Sequence, residues 1–148
     1  MPREPLLFLA IVGIGTTTAL TVGCTIPPPT KEEMAAFNYG PKPDNYEQLI
    51  RDYLKPRIAD PASAVLEFRA GPKLLYQQAT QLRPLQYGWG VCVLVNEKKQ
   101  SGGFAGFYPM VFFIRDGKIV AVNGGNEDNV IGWRFARTGC QELGFTVP

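Results

Sequence analysis

The hydrophobic rhythm of the chain changes several times, and each change predicts an element. Leu6 to Ile14 is almost unbroken apolar sequence. Residues 25–43 lose that character: Pro27-Pro28-Pro29, Lys31-Glu32-Glu33 and Gly40-Pro41-Lys42-Pro43 resist packing and favour extended polyproline conformation. From Tyr46 the apolar positions follow helical spacing. Tyr46, Leu49, Ile50, Tyr53 and Leu54 share one face, and Glu47, Arg51 and Asp52 take the other. Asp44 and Glu47 have the spacing of a capping box before that run. Pro56 ends or kinks the helix, Ile58 extends the buried stripe, and Asp60-Pro61 marks the exit.

Beyond residue 64 the period falls to two. Val65 to Ala70 reads as a strand that Gly71-Pro72 breaks. Residues 73–86 are open between a short strand at Leu74-Leu75-Tyr76 and an apolar loop. Tyr87 to Asn96 is the clearest strand. Tyr87, Trp89, Val91, Val93 and Val95 face one way, and Gly88, Gly90, Cys92 and Leu94 the other. The two glycines would let a helix approach that second face closely.

Residues 97–107 are polar and Gly-rich. Met110–Arg115 and Lys118–Asn123 then form a hairpin about Asp116-Gly117, a dipeptide suited to a type I′ turn. A regular hairpin sets Arg115 against Lys118, Ile114 against Ile119 and Phe112 against Ala121. Met110, Phe112, Ile114, Ile119 and Ala121 then share one face, with Val111, Phe113, Val120 and Val122 on the other. Both faces are apolar, so each is covered within the domain or one is a docking surface. Trp133, Ala136, Cys140 and Leu143 align on one face of a short C-terminal helix that Gly144 ends; Gly139 weakens this helix by about 1 kcal/mol relative to Ala. The predicted fold class is α+β: an N-terminal amphipathic helix, an antiparallel sheet of about four strands and a short C-terminal helix. The predicted domain spans residues 44–148.

Residues 1–23 carry a short polar start with Arg3, the apolar run, and small residues toward its end. The run closes in Leu20-Thr21-Val22-Gly23-Cys24. Thr21-Val22-Gly23-Cys24 resembles the lipobox of bacterial lipoproteins, with Thr21 where Leu is commonest. The resemblance implies cleavage before Cys24, acylation of Cys24 (palmitate among its chains), and a Pro-rich tether over 24–43. The address it implies is the bacterial envelope, periplasm-facing, and Thr25 after the Cys favours the outer membrane over the inner. A cleaved secretion signal and an uncleaved membrane helix over Pro5–Gly23 are the other readings; three consecutive Thr and several Gly make the run a poor spanning helix.

The net charge is +2, which argues for neither nucleic acid nor an acidic membrane surface as partner. The three Cys become an even set once Cys24 carries lipid. Cys92 and Cys140 are then free to pair in an oxidising compartment, against the alternative of two buried thiols. If the helix covers the Gly88/Gly90/Cys92 side, the bridge staples helix to sheet.

The chain has no His, which removes Ser-His and Cys-His nucleophile pairs and His-containing zinc sites. No cofactor or metal is expected. Ser101-Gly102-Gly103-Phe104-Ala105-Gly106 lacks the Gly-Lys-Ser/Thr ending of a phosphate loop and reads as a tight loop between strands. Its Phe104, with Phe107 and Tyr108, is a candidate partner contact. Glu127-Asp128, with Asn123 and Asn126, lacks the spacing of a calcium loop and reads as a solvated turn. Glu67 and Asp128 are the carboxylates an enzyme reading would use.

Tyr87-Gly88-Trp89-Gly90-Val91-Cys92-Val93-Leu94-Val95-Asn96, Gly102-Gly103-Phe104-Ala105-Gly106 and Phe113-Ile114-Arg115-Asp116-Gly117-Lys118 together resemble a family of small proteobacterial lipoproteins. Leu54-Lys55-Pro56-Arg57 and Asp60-Pro61 with Ser63-Ala64 are similar too. The match spans about residues 45–122; Glu97-Lys98-Lys99-Gln100 departs from the family's loop. The resemblance implies location and domain extent and brings no enzyme activity. The expected function is a non-enzymatic envelope lipoprotein with a protein-binding or structural role, as accessory to an outer-membrane or secretion assembly. The alternative is a ligand-binding or inhibitor module using loop 102–108.

Overall fold

The computed structural model describes residues 26–125 and 129–148. The segment expected to be an export signal, Cys24, and Asn126, Glu127 and Asp128 lie outside the described residues. The elements run α1 (Lys31–Ala35), α2 (Tyr46–Leu54), β1 (Val65–Gln77), β2 (Gln86–Asn96), β3 (Tyr108–Arg115), β4 (Lys118–Gly124) and α3 (Val130–Glu142). The four strands form one antiparallel sheet in the order β1-β2-β3-β4, so the class is α+β as the periodicities predict.

Strand β3 explains the layering. Val111, Phe112, Phe113 and Ile114 are all inaccessible to solvent. Side chains alternate across a strand, so an apolar run of this length needs cover on both faces. Helix α2 supplies one cover: Ile50, Leu54 and the following Ile58 pack with Val91, Val93, Val95, Phe112 and Ile114. Tyr53 meets Phe112 edge-on at 5.9 Å between centroids. Helix α3 supplies the other, with Ala136, Cys140 and Leu143 against Cys92, Leu94, Val111 and Phe113. The hairpin is therefore covered internally.

The α3 face admits a very close helix. A Cβ on Gly90 would lie 2.7 Å from Leu75 and 3.2 Å from Leu143, and one on Gly139 would lie 3.1 Å from Val111. Gly139 thus gives up helix propensity for proximity to the sheet. Cys92 and Cys140 form the disulfide that staples α3 to β2, both fully buried. Helix α3 ends in a Schellman motif: Phe145 N–H donates to the Cys140 carbonyl (2.9 Å) and Gly144 N–H to that of Gln141 (3.0 Å). Gly144 takes φ +100°, and Lys73 Nζ donates to the Leu143 carbonyl at 2.9 Å.

Four local expectations differ from the structure. Gly71-Pro72 does not end the first strand; β1 continues to Gln77, with register irregularities between Phe68 and Lys73 that absorb the interruption. The hairpin turn is as expected, with Asp116 at φ 48° and Gly117 at 69°, but Val120 is an extra residue. Ile114 faces Ile119, and then Phe113 faces Ala121 and Phe112 faces Val122. One extra residue exchanges the two faces from there on. Ala121 lies on the α3 side, Val122 on the α2 side, and Val120 is 43% exposed.

The capping box also moves. The N-cap of α2 is Asn45, with no side-chain bond, whereas Thr30 and Glu33 form a reciprocal box at α1: Glu33 N–H to Thr30 Oγ1 at 3.2 Å and Thr30 N–H to Glu33 Oε2 at 2.7 Å. The extended tether expected over 24–43 differs most. Residues 31–35 are helical, and the stretch beyond them lies on the sheet. Phe37 stacks on Tyr87 (centroids 4.3 Å, interplanar angle 14°), Tyr39 meets the same ring edge-on, and Trp89 Nε1 donates to the Gly40 carbonyl at 3.1 Å. Pro43 is buried.

The bridged cysteines are 48 residues apart, so replacing both by Ala lowers unfolding stability by up to about 4 kcal/mol on the chain-entropy account. Denaturant titration of wild type and variant under oxidising conditions reads this. Gly90→Ala overfills the α3 interface and lowers stability by about 1–3 kcal/mol, seen in the same titration as a lower midpoint with an unchanged slope.

Candidate functional site

Strand β2 has a loop at each end, and the two ends differ in chemistry. Residues 97–107 join β2 to β3. Lys99 N–H donates to the Gly103 carbonyl (2.9 Å), Gly102 N–H to that of Lys99 (3.0 Å) and Ala105 N–H to that of Glu97 (2.8 Å). Gly106 N–H donates to Asn96 Oδ1 at 3.0 Å. Gly102, Gly103 and Gly106 all take positive φ with open space around the missing Cβ, so they serve the turn geometry.

This closed loop holds Phe104 and Phe107 outward, 52% and 49% exposed. Tyr108 does not join them. It is the first residue of β3, and the strand alternation turns it into the α2-side core at 7% exposure. Its hydroxyl donates to Glu97 Oε1 at 2.6 Å. Burial first, and the Glu97 carboxylate second, push its phenol well above the usual range. Of the three candidate contact residues, two are presented and the third is a buried strut beneath them.

The groove beside this loop, about 490 Å³, is lined by Arg57, Ile58, Lys98 and Ala105 among others, and neither Phe lines it. Lys98, one of its lining residues, pairs with Asp60 at 3.2 Å, with both side chains nearly half exposed. The Ser63 hydroxyl and then Lys98 hold the Asp60 carboxyl below its ordinary value. An ion pair this exposed contributes little to stability.

At the other end, β1 and β2 are joined by residues 78–85. Thr80 and Arg83 close this turn with reciprocal backbone bonds of 2.7 and 3.3 Å. The turn carries Arg83 into a polar cluster that residue patterns do not reveal. Arg83 Nη1 donates to Gln77 Oε1 and to Gln86 Oε1, and Nη2 donates to the Gln78 carbonyl at 3.1 Å. Asn123 Nδ2 donates to both Gln77 Oε1 and Gln86 Oε1 at 2.7 Å. Gln77 Nε2 completes the set on the Phe135 carbonyl of α3 at 3.0 Å, and the guanidinium lies 3.9 Å from the Phe135 ring centre. Gln77 and Asn123 are 4% and 7% exposed, so the bonds meet the needs of groups shut away from water. The cluster ties edge strand β1 to edge strand β4 and to α3.

Of the two carboxylates of the enzyme reading, only Glu67 is among the described residues. Glu67 pairs with Arg69 on β1, and Asp128 lies outside the described residues. Asn123 of the acidic turn is committed to the amide cluster. Among the described residues no three His, Cys, Asp or Glu gather as a metal site, and no helix is long and apolar enough to cross a membrane. No family model, curated protein or solved structure matches the chain.

Nothing in a single-sequence pattern distinguishes Gln77, Arg83, Gln86 and Asn123 from solvated loop residues. The only signal is Asn123 at the end of an apolar strand. Arg83→Met leaves amide oxygens with fewer donors and lowers stability by about 1–3 kcal/mol, measured by chemical denaturation, with the disulfide intact by mass.

Proposed function

We propose that this chain is a non-enzymatic lipoprotein of the bacterial envelope, held by an acylated Cys24, whose domain faces the periplasm and binds a protein partner. Its class is that of the small proteobacterial lipoproteins it resembles. Thr25 favours the outer membrane, and an accessory role in an outer-membrane or secretion assembly suits such an address.

The observation that carries the partner reading is the outward presentation of Phe104 and Phe107 on a loop closed by its own hydrogen bonds. Aromatic residues dominate binding energy when the free protein already holds them in place, because little ordering entropy remains to be lost. The backbone bonds of loop 97–107 and the Tyr108 strut provide that order. The two rings lie outside the neighbouring groove, which supports contact with a protein surface over capture of a small ligand.

Crosslinking in intact cells followed by affinity capture tests the proposal. The wild type yields a defined crosslinked species. Phe104→Ala with Phe107→Ala loses it, since hot-spot rings contribute about 2 kcal/mol or more each, roughly 30-fold in Kd. No specific partner at any copy number, or an unchanged crosslink in the double variant, overturns it.

A further inference from the structure

The N-terminal segment fixes how close a lipid on Cys24 must sit to the folded domain. Gln78 Nε2 donates to the Ile26 carbonyl at 2.7 Å, and Ile26 and Pro27 to Pro29 line an apolar groove of about 520 Å³ with Phe37, Ala79 and Leu85. Thr25 is the one residue between Ile26 and Cys24. Consecutive Cα atoms are 3.8 Å apart, so the Cα of Cys24 lies within about 8 Å of that of Ile26. An extended tether from Cys24 to Pro43 would reach about 60 Å. Docking of residues 26–40 removes nearly all of that reach.

Two large apolar side chains are exposed at this end of the domain. Ile26 is 42% exposed, and Leu82, at the head of the turn closed by Thr80 and Arg83, is 75% exposed. Among the described residues, the Leu82 side chain belongs to neither core cluster. The aromatic pair lies at the far end of β2: its eleven residues rise about 3.3 Å each, which separates the two loops by up to about 35 Å.

We infer that the turn carrying Leu82 rests against the bilayer surface, and that the domain stands on it with loop 97–107 pointing away. The occupant against the exposed Leu82 and Ile26 side chains is the lipid of the membrane that holds Cys24. The inference rests on the acylation of Cys24 proposed above.

Site-directed spin labelling of the full-length protein tests it. Acylated Cys24 and the Cys92–Cys140 bridge leave no reactive thiol, so Leu82→Cys and Phe104→Cys each introduce a single labelling site on an exposed residue. Both proteins are extracted from membranes, weighed intact by mass spectrometry, and reconstituted in vesicles of phosphatidylethanolamine and phosphatidylglycerol. The expected result is a several-fold higher ratio of oxygen to nickel-chelate collisions at position 82 than at position 104. An acylated protein with equal ratios at both positions overturns the orientation alone. A mass that shows Cys24 without lipid overturns the anchor and the orientation together.

Discussion

A strand with no polar side governs this architecture. The consecutive residues Val111 to Ile114 of β3 cannot meet water on either face, and the neighbouring run Val91 to Val95 behaves likewise. One helix cannot cover both. The chain places α2 before the sheet and α3 after it, and each closes one face. The β1-β2-β3-β4 order keeps the two most apolar strands central, and the edge strands carry the exposed positions.

The two covers are held by different means. The α2 side is filled by large residues meeting large residues, including Tyr53 on Phe112 and Tyr46 on Phe68. Its energy is apolar area removed from water, about 25 cal/mol per Å². Helix α3 contains Gly132 and Gly139 and is intrinsically weaker. It is secured by a covalent bridge, a Schellman end, the Lys73 cap and the amide cluster around Gln77. The glycines that weaken the helix are part of what lets it approach closely enough for Cys140 to reach Cys92.

Regular periodicity was the legible part of the fold. Strand β2 departs from its expected bounds by one residue, the Asp116-Gly117 turn takes the positive φ values its dipeptide implies, and the 3, 4, 3 spacing from Trp133 to Leu143 runs along α3 and its C-cap. Apart from the Cys92–Cys140 pairing, interactions between distant residues were not legible. The proline triplet argues for an extended tether, but the fate of the segment is decided by Phe37 stacking on a ring fifty positions later. Gly71-Pro72 reads as a stop because local rules carry no information about a partner strand that tolerates a bulge. At the candidate contact loop, residue type marked all three aromatics. Burial of Tyr108 depended on where strand alternation began, a boundary that composition leaves open. The Gln77 cluster is assembled from three strands, a turn and a helix, none of which hints at the others.

The additional residue in β4 has an evolutionary consequence. Were Val120 paired in the ladder instead of bulged, Asn123 would emerge on the α2 side, among Val93, Val95 and Phe112, with no amide to receive it. Ala121 and Val122 would trade environments at the same time. Deleting Val120 outright would leave Ile119, Ala121, Val122 and Asn123 opposite the partners they face now, so lineages can shorten this segment by the bulged residue without disturbing either layer, whereas straightening the bulge with Val120 retained would invert both.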